Sequence, residues 1–101
     1  MGAETFYSEA SGKTADSAFA EACSQARYDH GHSGYTGSIA EKHDFVKIAK
    51  VDTSKEAYDL AGKLLDEQDS RIDDKWGPAG CIEFKGKASM PVFLFFGWAS
   101  S

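Results

Sequence analysis

The chain reads as an α+β domain with the element order β-α-β-β-α-β-β. The expected form is an antiparallel sheet with two helices on one face, a ferredoxin-like variant with an extra strand. Three observations predict it. Two stretches repeat apolar residues at helical spacing, and short strand-like runs flank them. The last run, Val92-Phe-Leu-Phe-Phe96, is apolar on both faces, as a central covered strand is.

The first strand is expected over Glu4 to Ser8, ended by the turn-prone Ala10-Ser-Gly-Lys13. Thr14 offers an N-cap and Asp16 suits the positive end of the helix dipole. From there Ala15, Ala18, Phe19, Ala22, Cys23 and Ala26 follow the i, i+3, i+4, i+7 rule. Four of these six are alanines, so this helix should approach its sheet closely, and Gly31 is placed to end it. Tyr35 to Glu41 and Phe45 to Val51 read as strands, joined through Lys42-His-Asp44 as a hairpin. Thr53-Ser-Lys-Glu56 is a capping box that opens a second helix. Its buried stripe is Ala57, Leu60, Ala61, Leu64, Leu65 and Gln68, continued by Ile72, and Lys63, Glu67 and Arg71 fall four apart on its outer face. After a turn at Trp76-Gly-Pro-Ala-Gly80 come strands Cys81 to Lys85 and Val92 to Ala99. Phe93, Phe95 and Trp98 leave part of a second sheet face apolar, which points to a homodimer or higher homo-oligomer formed through the sheet.

With 101 residues, 42% of them hydrophobic, the chain suits one domain spanning 1–101 with a modest core. Its net charge of −5 argues against binding a nucleic-acid backbone, which needs clustered Lys and Arg. The first residues lack the basic and apolar regions of a secretory signal, and the longest apolar run is too short to cross a bilayer. A cytoplasmic protein with no membrane partner is expected. Cys23 and Cys81 form no C-x-x-C pair and fall on core-facing positions, which reads as two buried reduced thiols.

Chemistry concentrates between the first helix and the next strand, in Arg27-Tyr-Asp-His-Gly-His-Ser-Gly-Tyr-Thr-Gly-Ser-Ile-Ala-Glu-Lys42. Glycines at 31, 34 and 37 permit positive φ and close backbone approach to another group. The dinucleotide fingerprint is excluded, because it needs strand, loop and helix in that order, and here a helix comes first. No Gly-Lys-Ser/Thr follows as in a P-loop, and Gly12-Lys13-Thr14 has Tyr7 at the earlier glycine position. Gly31-His-Ser-Gly-Tyr35 fails as a nucleophile elbow, since tyrosine stands at the fifth position and a helix precedes it. His30, His32 and His43, beside Asp29 and Asp44, lack a fixed third ligand, so neither a metal nor another cofactor is expected.

An anion or nucleotide pocket remains. Successive backbone N–H groups around His30, His32, Ser33, Gly34, Tyr35, Thr36, Gly37 and Ser38 suit a phosphate nest. Arg27 and Lys42 bracket the segment with charge, and Thr36 and Ser38 add hydroxyls. Tyr28, Tyr35 or Trp76 supplies a ring to stack on a base.

The run Tyr28 to Lys42, with Lys75-Trp-Gly-Pro-Ala-Gly80 and the terminal Phe96-Gly-Trp-Ala-Ser-Ser101, resembles a family of small bacteriophage proteins of unassigned activity. Members carry a GYTGTIAEK-like segment, and the resemblance covers most of the chain. This chain departs from the pattern at Ser33, where glycine is usual, and at Ser38, where threonine is usual. The resemblance implies a role against host defence inside the host cell: binding a cyclic or ADP-ribose-type nucleotide signal without turnover. Two rivals stand beside that reading. One is a nucleotide-processing hydrolase using His30 or His32 with Glu41; the other is a protein inhibitor of a host enzyme.

Overall fold

The computed structural model describes residues 3–30, 39, 42–74, 77–86 and 90–100. Among them it has four strands and two helices: β1 (Ala3–Ser11), α1 (Ala15–His30), β2 (Phe45–Lys50), α2 (Ser54–Asp66), β3 (Ala79–Lys85) and β4 (Pro91–Ser100). The strands form one sheet in the order β1-β4-β3-β2. β4 runs antiparallel to both of its neighbours, β1 and β3, whereas β2 lies parallel to β3. The α+β class stands, but the sheet is mixed and not antiparallel. The reason is the connection: β2-α2-β3 is a crossover through a helix, which returns the chain parallel.

The described partner of β2 in the sheet is β3, and the strand that the expected hairpin through Lys42-His-Asp44 would add, at 35–41, lies outside the described residues apart from Ile39. Ile39 lies in a short 3₁₀ turn.

The helices occupy opposite faces, a second correction to the sequence reading. Along β4, Phe93, Phe95 and Ala99 pack with Ala18, Ala22 and Cys23 of α1, while Leu94 and Phe96 pack with Ala57, Ala61, Leu64 and Leu65 of α2. Successive residues of a strand point to opposite sides, so α1 covers one face and α2 the other. The both-face apolar pattern of Val92 to Phe96 is therefore satisfied inside the chain. A subunit docked on a bare sheet face is not required to explain it.

Local signals explain the helices. Thr14 Oγ1 accepts from the Ser17 N–H at 3.1 Å, capping α1. The small residues Ala18 and Ala22, both buried, bring α1 close to the sheet. Thr53 Oγ1 accepts from the Glu56 N–H at 3.2 Å, and the Glu56 carboxylate reaches back to the Asp52 N–H at 3.4 Å. Gln68 does not continue the α2 stripe: it lies beyond the helix end with φ 52° and is exposed. Ile72 does return to the core, at 1% exposure. Arg71 leaves the expected Glu67 pairing and instead forks onto Asp69, with Nε and Nη2 donating at 2.9 and 3.0 Å. Those hydrogen bonds hold the Asp69 carboxyl down at about 2.

A register shift on β2 falls between Lys47 and Ala49. It places Lys47 and Lys50 on the same side, with Nζ atoms 3.7 and 3.4 Å from the Glu83 carboxylate.

Gly80 is fixed by close approach. A Cβ there would meet the Phe96 ring at 2.6 Å and Ile72 at 3.1 Å. Gly80→Ala is expected to cost about 1–3 kcal/mol through overpacking against Phe96 of β4 and Ile72. Denaturant unfolding of the variant measures this.

Candidate functional site

Strand direction fixes what meets at each end of the fold. α1 follows the end of β1 and climbs back beside it, so its C-terminus at His30 lies near the start of β1. β2 and β3 are parallel and both begin at that same end. The connections before β2 and before β3 therefore converge there. The Ala79 N–H donates to the Asp44 carbonyl at 3.0 Å, joining the two strand entries directly.

Lys42 ties this junction together. Its side chain is 2% exposed, the one buried charged residue among those described. Its Nζ donates to the Gly77 carbonyl at 2.9 Å and to the Asp74 carbonyl at 3.4 Å, and it lies 6.0 Å from the centre of the Phe6 ring. One ammonium thus links the entry to β2, the turn before β3 and the edge of the α1 core. The neighbouring Ile39 is fully buried in that core, and its carbonyl accepts from Cys23 Sγ at 3.6 Å. Cys23 lies seven residues before the end of α1, about two helical turns back.

The site residues read from sequence fare unequally. Arg27 is exposed on the last turns of α1, and His30 is the final residue of that helix. Lys42 comes to the junction buried, where backbone carbonyls engage its charge; sequence reading took it as one of two cations bracketing a ligand. His32, Ser33, Gly34, Tyr35, Thr36, Gly37, Ser38 and Trp76 lie outside the described residues, as does Glu41. The turn that holds Trp76 in sequence is the one Lys42 grips on either side, at Asp74 and Gly77.

A cavity of about 230 Å³ opens at the junction, lined by His43, Asp44, Gly77 and Pro78. Sequence reading took His43 and Asp44 only as a hairpin turn or weak metal ligands. Their pairing with Gly77-Pro78 requires knowing that β2 and β3 are parallel. The surroundings are acidic: Asp44, Asp66, Glu67, Asp73 and Asp74 are all exposed around the strand entries and the end of α2. Both helices also direct their partially negative C-termini this way. Among the described residues no group of three or more His, Cys, Asp or Glu is gathered to hold a metal.

A larger groove of about 530 Å³ lies at the opposite end, lined by Glu9, Asp52, Thr53, Ser54, Phe84, Lys85, Gly86 and Val92. This is the carboxyl end of the parallel pair, where open α/β sheets often take ligands. An antiparallel reading of the sheet hides that place. At the α2 N-terminus the Glu56 N–H is already bonded to Thr53, and Glu9 and Asp52 add negative charge, so a simple anion is poorly served.

The two thiols are free and buried. Burial pushes the Cys81 thiol up to about 12 and raises that of Cys23 despite the nearby Arg27, so neither is poised as a nucleophile. No helix among the described residues is long and apolar enough to cross a membrane.

The fold and junction define a small mixed-sheet α+β protein with a connection site at the strand entries. Compared with known protein families, curated proteins and solved structures, the chain has no significant match.

Proposed function

We propose that the protein binds a small nucleotide-derived ligand, of the cyclic or ADP-ribose type, at the junction of the 31–44 connection and the 74–78 turn, and holds it without turnover. The carrying observation is convergence. A buried Lys42 fastens the entry of β2 to Asp74 and Gly77 before β3, so the chain positions that follow residues 31–41 and flank Trp76 meet at one point. Rigid anchoring of a ligand-binding loop reduces the ordering cost of binding. In this reading the backbone of residues 31–38 holds phosphate, Arg27 balances charge, and Tyr35 or Trp76 stacks on the base. Lys42 acts as the fastener and not as a ligand contact. The acidic surroundings favour a ligand with few phosphates over a highly charged one.

The test is retention. The purified protein is incubated with cyclic and ADP-ribose-type nucleotides, desalted, heat-denatured, and the released material analysed by mass spectrometry. Intact nucleotide is expected, with retention lost in Tyr35→Ala and Trp76→Ala variants that still fold by circular dichroism. A released product would make the protein a hydrolase, and failure to retain any nucleotide in the panel would remove the reading.

A second reading draws on the acidic end itself. Asp44, Asp66, Glu67, Asp73 and Asp74 suit docking against a basic face of a host protein, consistent with an inhibitor. Binding of that kind weakens steeply with salt and is lost on charge reversal at Asp66 and Asp73, with Tyr35→Ala having little effect.

A further inference from the structure

The sheet has two edges, and they differ. β2 is short, interrupted by a register shift, and carries Lys47 and Lys50, features that discourage edge pairing. β1 has none of these. All nine of its residues, Ala3 to Ser11, pair without interruption with β4, and no described strand lies on its other side. Its sequence has no proline and no lysine. A strand this regular presents an unpaired row of N–H and C=O groups, a ready template for another strand.

An aromatic pair stands beside that edge. Tyr7 is 44% exposed and Tyr58 of α2 is 37% exposed, with ring centroids 5.5 Å apart. The Tyr58 hydroxyl donates to the Glu9 carboxylate, and burial together with that bond pushes Tyr58 up to about 12. The phenol therefore stays protonated and keeps the pair fixed against β1. Among the described residues Tyr28 and Met90 are the other large exposed apolar groups, and neither lies on β1.

We propose that β1 pairs antiparallel with β1 of a second copy about a two-fold axis through Tyr7, forming one continuous eight-stranded sheet. The occupant follows from the self-complementarity of this strand. An axis normal to the sheet keeps each helix layer on its own side and requires a residue to face itself at the centre. Tyr7 is the midpoint of β1, so centring there pairs all nine residues, and any other centre leaves some unpaired. In that register Glu4 faces Ala10 and Glu9 faces Thr5, so no two like charges stand directly opposite. The axis also gathers Tyr7 and Tyr58 from both copies into one cluster of four rings.

The test uses the full chain and the self-facing residue. Opposed Cα atoms in an antiparallel pair lie roughly 4.5–5.5 Å apart, within disulfide reach. Tyr7→Cys is expected to form a covalent dimer under mild oxidation, which the buried Cys23 and Cys81 do not supply. Thr5→Cys alone should not, because the two copies of position 5 lie four residues apart along the strand. Thr5→Cys mixed with Glu9→Cys should cross-link. Light scattering of the unmodified protein is expected to give twice the chain mass. Tyr7→Lys and Tyr7→Glu should each be monomeric alone and dimeric when mixed, which no misfolded variant would reproduce. A monomeric unmodified protein at tens of micromolar would overturn the proposal. So would a dimer in which Tyr7→Cys fails to cross-link, or charge variants that stay monomeric on mixing.

Discussion

Replacing Lys42 by methionine is expected to destabilise the fold by about 2–4 kcal/mol, a fall in Tm of roughly 10–20 °C for a domain of this size. Methionine keeps much of the apolar stem, so the change isolates the ammonium and its approach to the Phe6 ring. What is lost is a charged donor shared by the Gly77 and Asp74 carbonyls at 2.9 and 3.4 Å. Hydrogen bonds to charged groups contribute about 1.5–3 kcal/mol each, and the loss falls mainly on the part-buried Gly77 carbonyl, because the Asp74 carbonyl also accepts from the Gly77 N–H at 2.9 Å. Against this stands the relief of no longer burying a cation, which keeps the net effect at the lower end of the simple sum. Lys42→Arg should recover only part of the loss, because a planar fork does not present its donors to the Gly77 and Asp74 carbonyls as a compact ammonium does. Denaturant and thermal unfolding check the magnitude. Nucleotide retention measured well below the lowered Tm adds a second readout: it should fall in Lys42→Met even while the chain remains folded. A loss of less than about 1 kcal/mol would mean that the junction is held by other contacts.

Lys42 also shows where sequence reading stops. Its position at the end of a glycine-rich segment was legible, and so was its charge. Its direction was not, because nothing local reveals that Asp74 and Gly77, more than thirty residues later, present carbonyls to it. Elements set by local rules were read well. The Thr14 and Thr53 caps form from residues three apart. The alanine stripe of α1 and the aliphatic stripe of α2 both face apolar clusters. Non-local choices went differently. Val92 to Phe96 announced a strand covered on both sides, yet periodicity does not say whether two helices or one helix and a partner do the covering. The parallel pairing of β2 with β3 was likewise invisible in either strand alone, and with it the meeting of His43-Asp44 with Gly77-Pro78. The sequence named a glycine-rich connection and a later turn as the candidate site, but not that Lys42 and the turn before β3 meet. Their common fastening had to come from the fold.

Phe95→Ala is expected to be the most damaging single substitution, costing about 3–5 kcal/mol. Its side chain is fully buried in the central strand and its ring touches three others. Phe19 and Phe45 meet it edge-on at 5.3 and 5.5 Å, and Phe93 is stacked beside it at 6.5 Å. These rings come from α1, β2 and β4, so one truncation loosens the whole α1 layer at once. Aromatic pairs add about 0.5–1.5 kcal/mol beyond area burial, and that part is lost as well. Domains of this size have about 5–15 kcal/mol in total, so the variant should sit near the edge of folding at 37 °C. Guanidinium titration of Phe95→Leu, a milder change, gives the measurable companion. The layered arrangement makes a sharper demand on its neighbour. Phe96 packs with Ala57, Ala61 and Leu64 on the α2 side and belongs to the other cluster. Phe19→Leu on the α1 side and Phe96→Leu on the α2 side therefore fall in separate clusters, and their costs should add to within about 0.5 kcal/mol in the double variant. Strong coupling between them would place both rings in one core, and the two-faced sheet with a helix on each side would have to be abandoned.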